Sequence, residues 1–322
     1  MRDGRRNAGP RSSVEQTLRA LSQRARGAER RRDYLTAETL YRRGTRLTRP
    51  LAPGPLQVAL HSRLGNLYRF LGRYRDADRQ FQRALKIALE AFGEGSPATI
   101  PILNNWAIVC KYDGRFAQGA RTYRRALKLA IAAHGPEHPE VATIYHNLGG
   151  LEHARGRFAR AEAFARKAVE LRRRTLGAQH PELARDRAAL AAVLQELGRH
   201  EEAERLYARA LRVFRKSRGA EHYDIAITLN NLAAVCQARG KFSAAQRHYE
   251  RALVIKEKLL GPGHVDVAMT LNNLAVLRKA RGDREAAAQF YARALGIFTA
   301  ALPPDHPKVI QCRENFAKVR AA

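Results

Sequence analysis

An apolar residue returns every 42 positions along this chain, at Leu64, Trp106, Leu148, Leu190, Leu232 and Leu274. The glycines Gly72, Gly114, Gly156, Gly198, Gly240 and Gly282 keep the same interval. So do two columns of small residues, one running from Ala77 to Ala287 and one from Ala84 to Ala294. Four columns in register require a stack of like supersecondary units. Each unit then needs to bury its apolar face only against its neighbours, which frees a chain of 322 residues from building one large core.

A single period shows what the unit is. In residues 222–260, Ile225, Leu229, Leu232, Ala233 and Cys236 fall at helical spacing and make one stripe. Gly240 follows at the place where a left-handed residue ends a helix. Phe242 opens a second helix with Ala245, Tyr249, Ala252 and Ile255 on its inner face. The alanine columns let the two helices approach closely, and a larger residue there costs about 1–3 kcal/mol.

The loop between units reads G-x-x-H in "GPEHPEVA", "GAQHPELA", "GAEHYDIA" and "GPGHVDVA". Pro139, Pro181 and Pro307 suit a first helical turn, and Glu140, Glu182, Asp224 and Asp266 suit the positive end of a helix dipole. His138, His180, His222, His264 and His306 recur once per unit without partners at metal-ligand spacing, so they are read as loop or capping residues.

The ends differ from the middle. Residues 1–12 read as a basic, disordered arm and 13–322 as the repeat region. Within it, 13–49 is a degenerate copy, about 58–302 holds six full repeats, and about 306–320 is a lone capping helix. The N-terminus has no apolar run behind its arginines, and no stretch approaches the ~18 apolar residues of a membrane span. A cytoplasmic chain without membrane contact is expected. Cys110 and Cys236 lie three periods apart, too far in a stack for a disulfide, and with Cys312 they read as small buried hydrophobes.

Net charge is +29, and only 11 of the 59 basic residues are lysine. Two readings stay open: attraction to an anionic partner, or arginine-rich coding. Gly-rich phosphate loops, nucleophile elbows, clustered metal ligands and paired carboxylates are all missing, so no catalytic, cofactor or metal residue is expected.

The "LA" or "LG" pair, the glycine, the aromatic two residues later and the two alanines resemble the tetratricopeptide repeat. The 42-residue unit, with "HVDVAMTLNNLAVLRKARG" and "HYDIAITLNNLAAVCQARGKFSAAQRHYERAL", is similar to the kinesin light chain type over about residues 13–320. This resemblance implies an all-α fold, a right-handed α-solenoid of helical hairpins. It further implies a concave groove, lined by first helices, that holds an extended or short helical peptide.

Carried over by register, the groove holds Arg63, Asn105, Asn147, Asn231 and Asn273, preceded by Asn104, His146, Asn230 and Asn272. Asn66 and Tyr112 complete the set. The fourth repeat departs, with Ala188 and Ala189, and the first has Ser62 before Arg63. An asparagine amide both donates and accepts, so a ladder of them can grip a peptide main chain. Bonds to neighbouring loops or helices are the alternative. Lining charges are Arg63, Arg69, Lys111, Arg185 and Lys279 against Glu196, which favours a ligand of acidic character. The expected function is a non-catalytic scaffold for a protein or peptide partner. The second reading is nucleic acid or another polyanion bound on the basic exterior and arm.

Overall fold

The computed structural model describes residues 10–321, and every regular element among them is a helix. Fifteen α-helices follow in order: α1 (Pro10–Arg30), α2 (Tyr34–Leu47), α3 (Pro55–Phe70), α4 (Tyr74–Phe92), α5 (Ile100–Tyr112), α6 (Phe116–His134), α7 (Pro139–Ala154), α8 (Phe158–Leu176), α9 (Pro181–Glu196), α10 (His200–Arg218), α11 (Tyr223–Ala238), α12 (Phe242–Leu260), α13 (Val265–Ala280), α14 (Arg284–Ala301) and α15 (Pro307–Arg320). A short 3-10 turn, Pro97–Thr99, leads into α5. This is the all-helical solenoid class that the period predicts. Residues 1–9 of the expected arm lie outside the described residues, and Pro10 to Ser12 open α1.

The helices fall into two compact units, one up to Gly156 with α1 to α7, the other from Arg157 with α8 to α15. Within each, a helix packs on the next helix along the chain. First helices of successive repeats also touch: α3 meets α5 and α5 meets α7 in the first unit, and α11 meets both α9 and α13 in the second. In each unit the first helices therefore line one face together.

The turn inside each hairpin comes from the glycine column. Gly240 sits at φ 72°, in the left-handed region where a side chain is strained. It donates to Gln237 O at 3.0 Å, and Lys241 N reaches Cys236 O at 2.8 Å, the paired bonds of a Schellman motif. In the first hairpin Arg32 takes this place at φ 62° without being glycine.

The loop histidines are N-caps. Nδ1 of His138, His180, His222, His264 and His306 accepts from the backbone N–H two residues on, at 3.1–3.2 Å. Each satisfies one of the donors that a helix start leaves unpaired.

The core is a column of aromatic rings on second helices set among alanines. Tyr41, Phe81 and Tyr123 are fully buried in the first unit, as are Tyr207, Tyr249 and Tyr291 in the second. Truncating such a ring typically costs about 3–5 kcal/mol. The small columns are as tight as expected: a Cβ on Gly119 would come within 2.9 Å of Leu151. Cys110, Cys236 and Cys312 are buried free thiols, and burial pushes Cys110 and Cys312 up to about 11.

Candidate functional site

The first helices present the expected polar columns on the shared face of each unit. Arg63 and Asn66 lie on α3, Asn104, Asn105 and Tyr112 on α5, and His146 and Asn147 on α7. In the second unit Asn230 and Asn231 lie on α11, and Asn272 and Asn273 on α13. All are half-buried except Tyr112, which is 55% exposed. Their level is set by the leucine column beside them, since Leu64, Leu148, Leu232 and Leu274 are buried and fix the roll of each helix.

The two asparagine columns meet across repeats. Asn147 Nδ2 donates to Asn104 Oδ1 at 2.8 Å, and Asn273 Nδ2 donates to Asn230 Oδ1 at 3.4 Å. Thr270 Oγ1 also donates to Asn230 Oδ1, at 3.2 Å. In the two amide pairs the partner is 43 residues earlier, so the second amide of one repeat holds the first amide of the repeat before it. Inter-repeat bonding is thus one job of these residues, and each bonded amide keeps donor and acceptor capacity for more.

Ala188 removes the corresponding acceptor for Asn231. Burial raises the pKa of the Tyr207 hydroxyl and neighbouring Asn231 opposes it, without the alignment of a full hydrogen bond. Arg63 stands in the same relation to Tyr41. The Tyr41 hydroxyl donates to Glu29 at 3.3 Å, and burial is the main cause that pushes it up to about 12.

The first unit adds aromatic rings to its face. Tyr112 stacks on Tyr74, with centroids 5.9 Å apart and planes 10° from parallel, and Lys111 Nζ lies 4.6 Å from the Tyr112 centroid. Phe70 packs on Tyr34 at 5.1 Å. Asn66, Leu67, Phe70, Tyr34 and Glu29 enclose a pocket of about 280 Å³. In the second unit a larger pocket, about 470 Å³, opens between α11, α12 and α13 beside Asn273.

One set of polar residues escaped the sequence reading. The basic residue after the turn glycine reaches back to an acid on the preceding second helix. Arg73 pairs with Glu38 at 2.8 Å and Arg115 with Asp78 at 2.7 Å. In the second unit Arg199 pairs with Glu162 at 2.5 Å and Lys241 with Glu204 at 2.8 Å. The signal was the column Arg73, Arg115, Arg157, Arg199 and Lys241, which keeps the 42-residue interval. Arg73, Arg115, Arg199 and Lys241 are engaged in holding repeats together. Among the described residues no cluster of His, Cys, Asp or Glu could hold a metal ion, and no helix is long and apolar enough to cross a membrane.

Comparison with known proteins agrees with this geometry. The tetratricopeptide repeat family model matches residues 56–130, 98–174, 140–216, 187–258 and 224–300. No match is found among curated proteins. Among solved structures, BtubC (BKLC) from P. vanneervenii is similar at 25% identity and a TM-score of 0.57, over 76% of this chain and 90% of that one. A Podosopora anserina protein, described as a kinesin light chain with nearly identical TPR-like repeats, matches at 21% identity and a TM-score of 0.54, over 64% of this chain and 98% of its own. A tetratricopeptide repeat protein from Parabacteroides merdae matches at 20% identity and a TM-score of 0.62, over 95% and 99% of the two chains. The last two likenesses speak to fold alone.

Proposed function

Because this chain belongs to the tetratricopeptide repeat family, whose members are protein-interaction scaffolds, we propose that it is a non-catalytic cytoplasmic scaffold holding a peptide segment of a partner on its first-helix face. One observation carries the reading. Amides recur on that face, half-exposed, where burial in the core or full solvation would leave them nothing to grip. A main chain laid across them exchanges N–H and C=O bonds with several repeats at once, and the partner's side chains add specificity. Arg63, Arg69, Lys111, Arg185 and Lys279 favour acidic side chains in that segment.

The test is capture from the native cell with Asn231→Ala and Asn272→Ala combined. Loss of a partner held by the wild type is expected, with the melting temperature kept within a few degrees. Full capture by a folded double variant refutes the reading.

A second reading has its own observation. Arg19, Arg26 and Arg30 line a cleft of about 430 Å³ with Ser22, Gln23 and Leu56, and one carboxylate, Glu15, stands 3.8 Å from Arg19. Polyanion binding there, helped by the N-terminal arm, predicts affinity for random-sequence RNA that falls steeply with added salt. Filter binding at physiological salt decides it, and no retention rejects it.

A further inference from the structure

We propose that the second helices of the second unit bind a base-free chain of phosphate groups, inorganic polyphosphate, at two arginine pairs: Arg173 with Arg209, and Arg215 with Arg251. Successive second helices of this unit reach each other through long side chains. Arg166 of α8 pairs with Glu202 of α10 at 2.8 Å, and Arg293 of α14 pairs with Glu257 of α12. The second contact can be followed back by register. One repeat earlier its two positions are Arg251 and Arg215, and two repeats earlier they are Arg209 and Arg173. Where the last seam holds an ion pair, the two seams before it set exposed arginine against exposed arginine.

Further cations crowd the same two seams. At the first, burial and then the charges of Arg209 and Arg173 hold the half-buried Arg187 of α9 below the usual arginine pKa. At the second, burial and then Arg247 and Arg215 lower the pKa of the half-buried His248, with Glu204 opposing them. The neighbouring carboxylates are already engaged. Glu170 lies 3.0 Å from Arg173 and 3.7 Å from Arg174, Glu221 pairs with Lys258, and Glu204 pairs with Lys241. Each seam therefore keeps an excess of guanidinium that an outside anion would neutralise.

The chemistry of the anion follows from this arrangement. Two guanidiniums from neighbouring helices suit a group whose oxygens accept from both sides at once, as a phosphate does. Two seams one repeat apart suit anions that recur along a chain, since a chain held at one seam is kept close to the next. Every aromatic ring of the second unit is buried or half-buried, so this face lacks the exposed rings on which single-strand binders stack bases. The seams involve neither the first-helix amides nor α1, so the inference goes beyond both functional readings and stands or falls without them.

The test titrates end-labelled inorganic polyphosphate into the full chain at physiological salt, followed by fluorescence anisotropy, beside labelled poly-uridylate and polyglutamate. Arg209→Gln combined with Arg251→Gln should weaken polyphosphate at least about tenfold, and each change alone should weaken it less. The same pair should lower the slope of log affinity against log salt by about two. Arg121→Gln combined with Arg125→Gln removes equal charge from α6, where Arg125 has Leu89 at the facing position, and should stay within about twofold. Glu257→Arg turns the last ion pair into a third seam and should tighten binding. All these residues are exposed or half-buried, and loss of like-charge repulsion should keep the double Gln variant at or above the wild-type melting temperature. No binding by the wild type overturns the proposal, as does full affinity in the folded Arg209, Arg251 variant or an equal loss in the α6 variant. Poly-uridylate or polyglutamate held as tightly, and lost in the same double variant, overturns the assignment to a base-free phosphate chain.

Discussion

Arg172 Nε, on α8, donates to Asp186 Oδ2, on α9, at 2.9 Å, and the two side chains are only 6% and 2% exposed. One repeat later the same two positions are Phe214 and Thr228, also buried but uncharged. A third version follows: Lys256 Nζ donates to Thr270 Oγ1 at 2.9 Å and to Asp266 O at 3.2 Å, and burial pulls its pKa below the usual lysine value. The fold accepts any of these fillings, which separates what the position needs from what it happens to hold.

Asp186→Ala removes the carboxylate that faces a buried guanidinium and should cost about 3–5 kcal/mol. The double variant Arg172→Phe, Asp186→Thr copies the next repeat and should recover to within about 1 kcal/mol of the wild type, or exceed it. Urea unfolding followed by circular dichroism measures both. A single variant within about 1 kcal/mol of the wild type contradicts the pairing.

His61 is buried on α3 where Leu103, Leu229 and Leu271 stand in other repeats, and its Nδ1–H donates to Gln80 Oε1 at 2.7 Å. Burial is the first cause that holds its pKa below 6.5; Arg83 and Arg49 lower it further and Gln80 opposes them. Below pH 6.5 the unfolded chain takes up a proton that the folded site refuses, so stability is complete above that pH and falls as pH drops through it. His61→Leu should flatten this loss. Fluorescence of Trp106, the one tryptophan and a residue of the first unit, reports it during unfolding at pH 7.5 and 5.5.

His180 caps α9 through Nδ1 at 3.1 Å from Glu182 N. His180→Ala should cost about 1 kcal/mol, and His180→Asn should keep most of it, since an Asx side chain can accept the same bond. Thermal melts of the two variants make the comparison. Equal melts would mean that the ring contributes by packing alone.

Arg32 holds φ 62° at a turn where every later hairpin has glycine. Arg32→Gly relieves strain but loosens the unfolded chain, for a net gain of about 0.5–1 kcal/mol. Substituting Arg32 by valine should destabilise by more than that, because a branched Cβ fits the left-handed region worse. A higher melting temperature for the glycine variant is the expected reading.

How far the residues announced this structure depends on how each signal travels. Columns that mark helix faces and turns, such as Leu232, Gly240 and Ala252, act within one repeat and could be read directly. The histidine caps were legible because the glycine before and the acid after bracket them. The asparagines were half legible: their face followed from register, but the Asn147–Asn104 bond spans two repeats and has no local trace. Arg115 and Asp78 lie 37 residues apart, an interval that differs from the period, so the column was visible and its partner was not. Arg172 and Asp186 break the repeat pattern, and nothing short of packing α8 on α9 brings them together.

Because helices within each unit lean on their chain neighbours, a unit can be edited by whole periods. Excising Tyr223 to His264 would splice His222 to Val265, giving a seam of the same composition as the loops already in use. Removing 41 or 43 residues would instead turn one helix about 100° against the next and set tyrosine rings on alanine seats. Length in this molecule is therefore quantised, and new variants arise most cheaply by gene duplication or loss in steps of one hairpin.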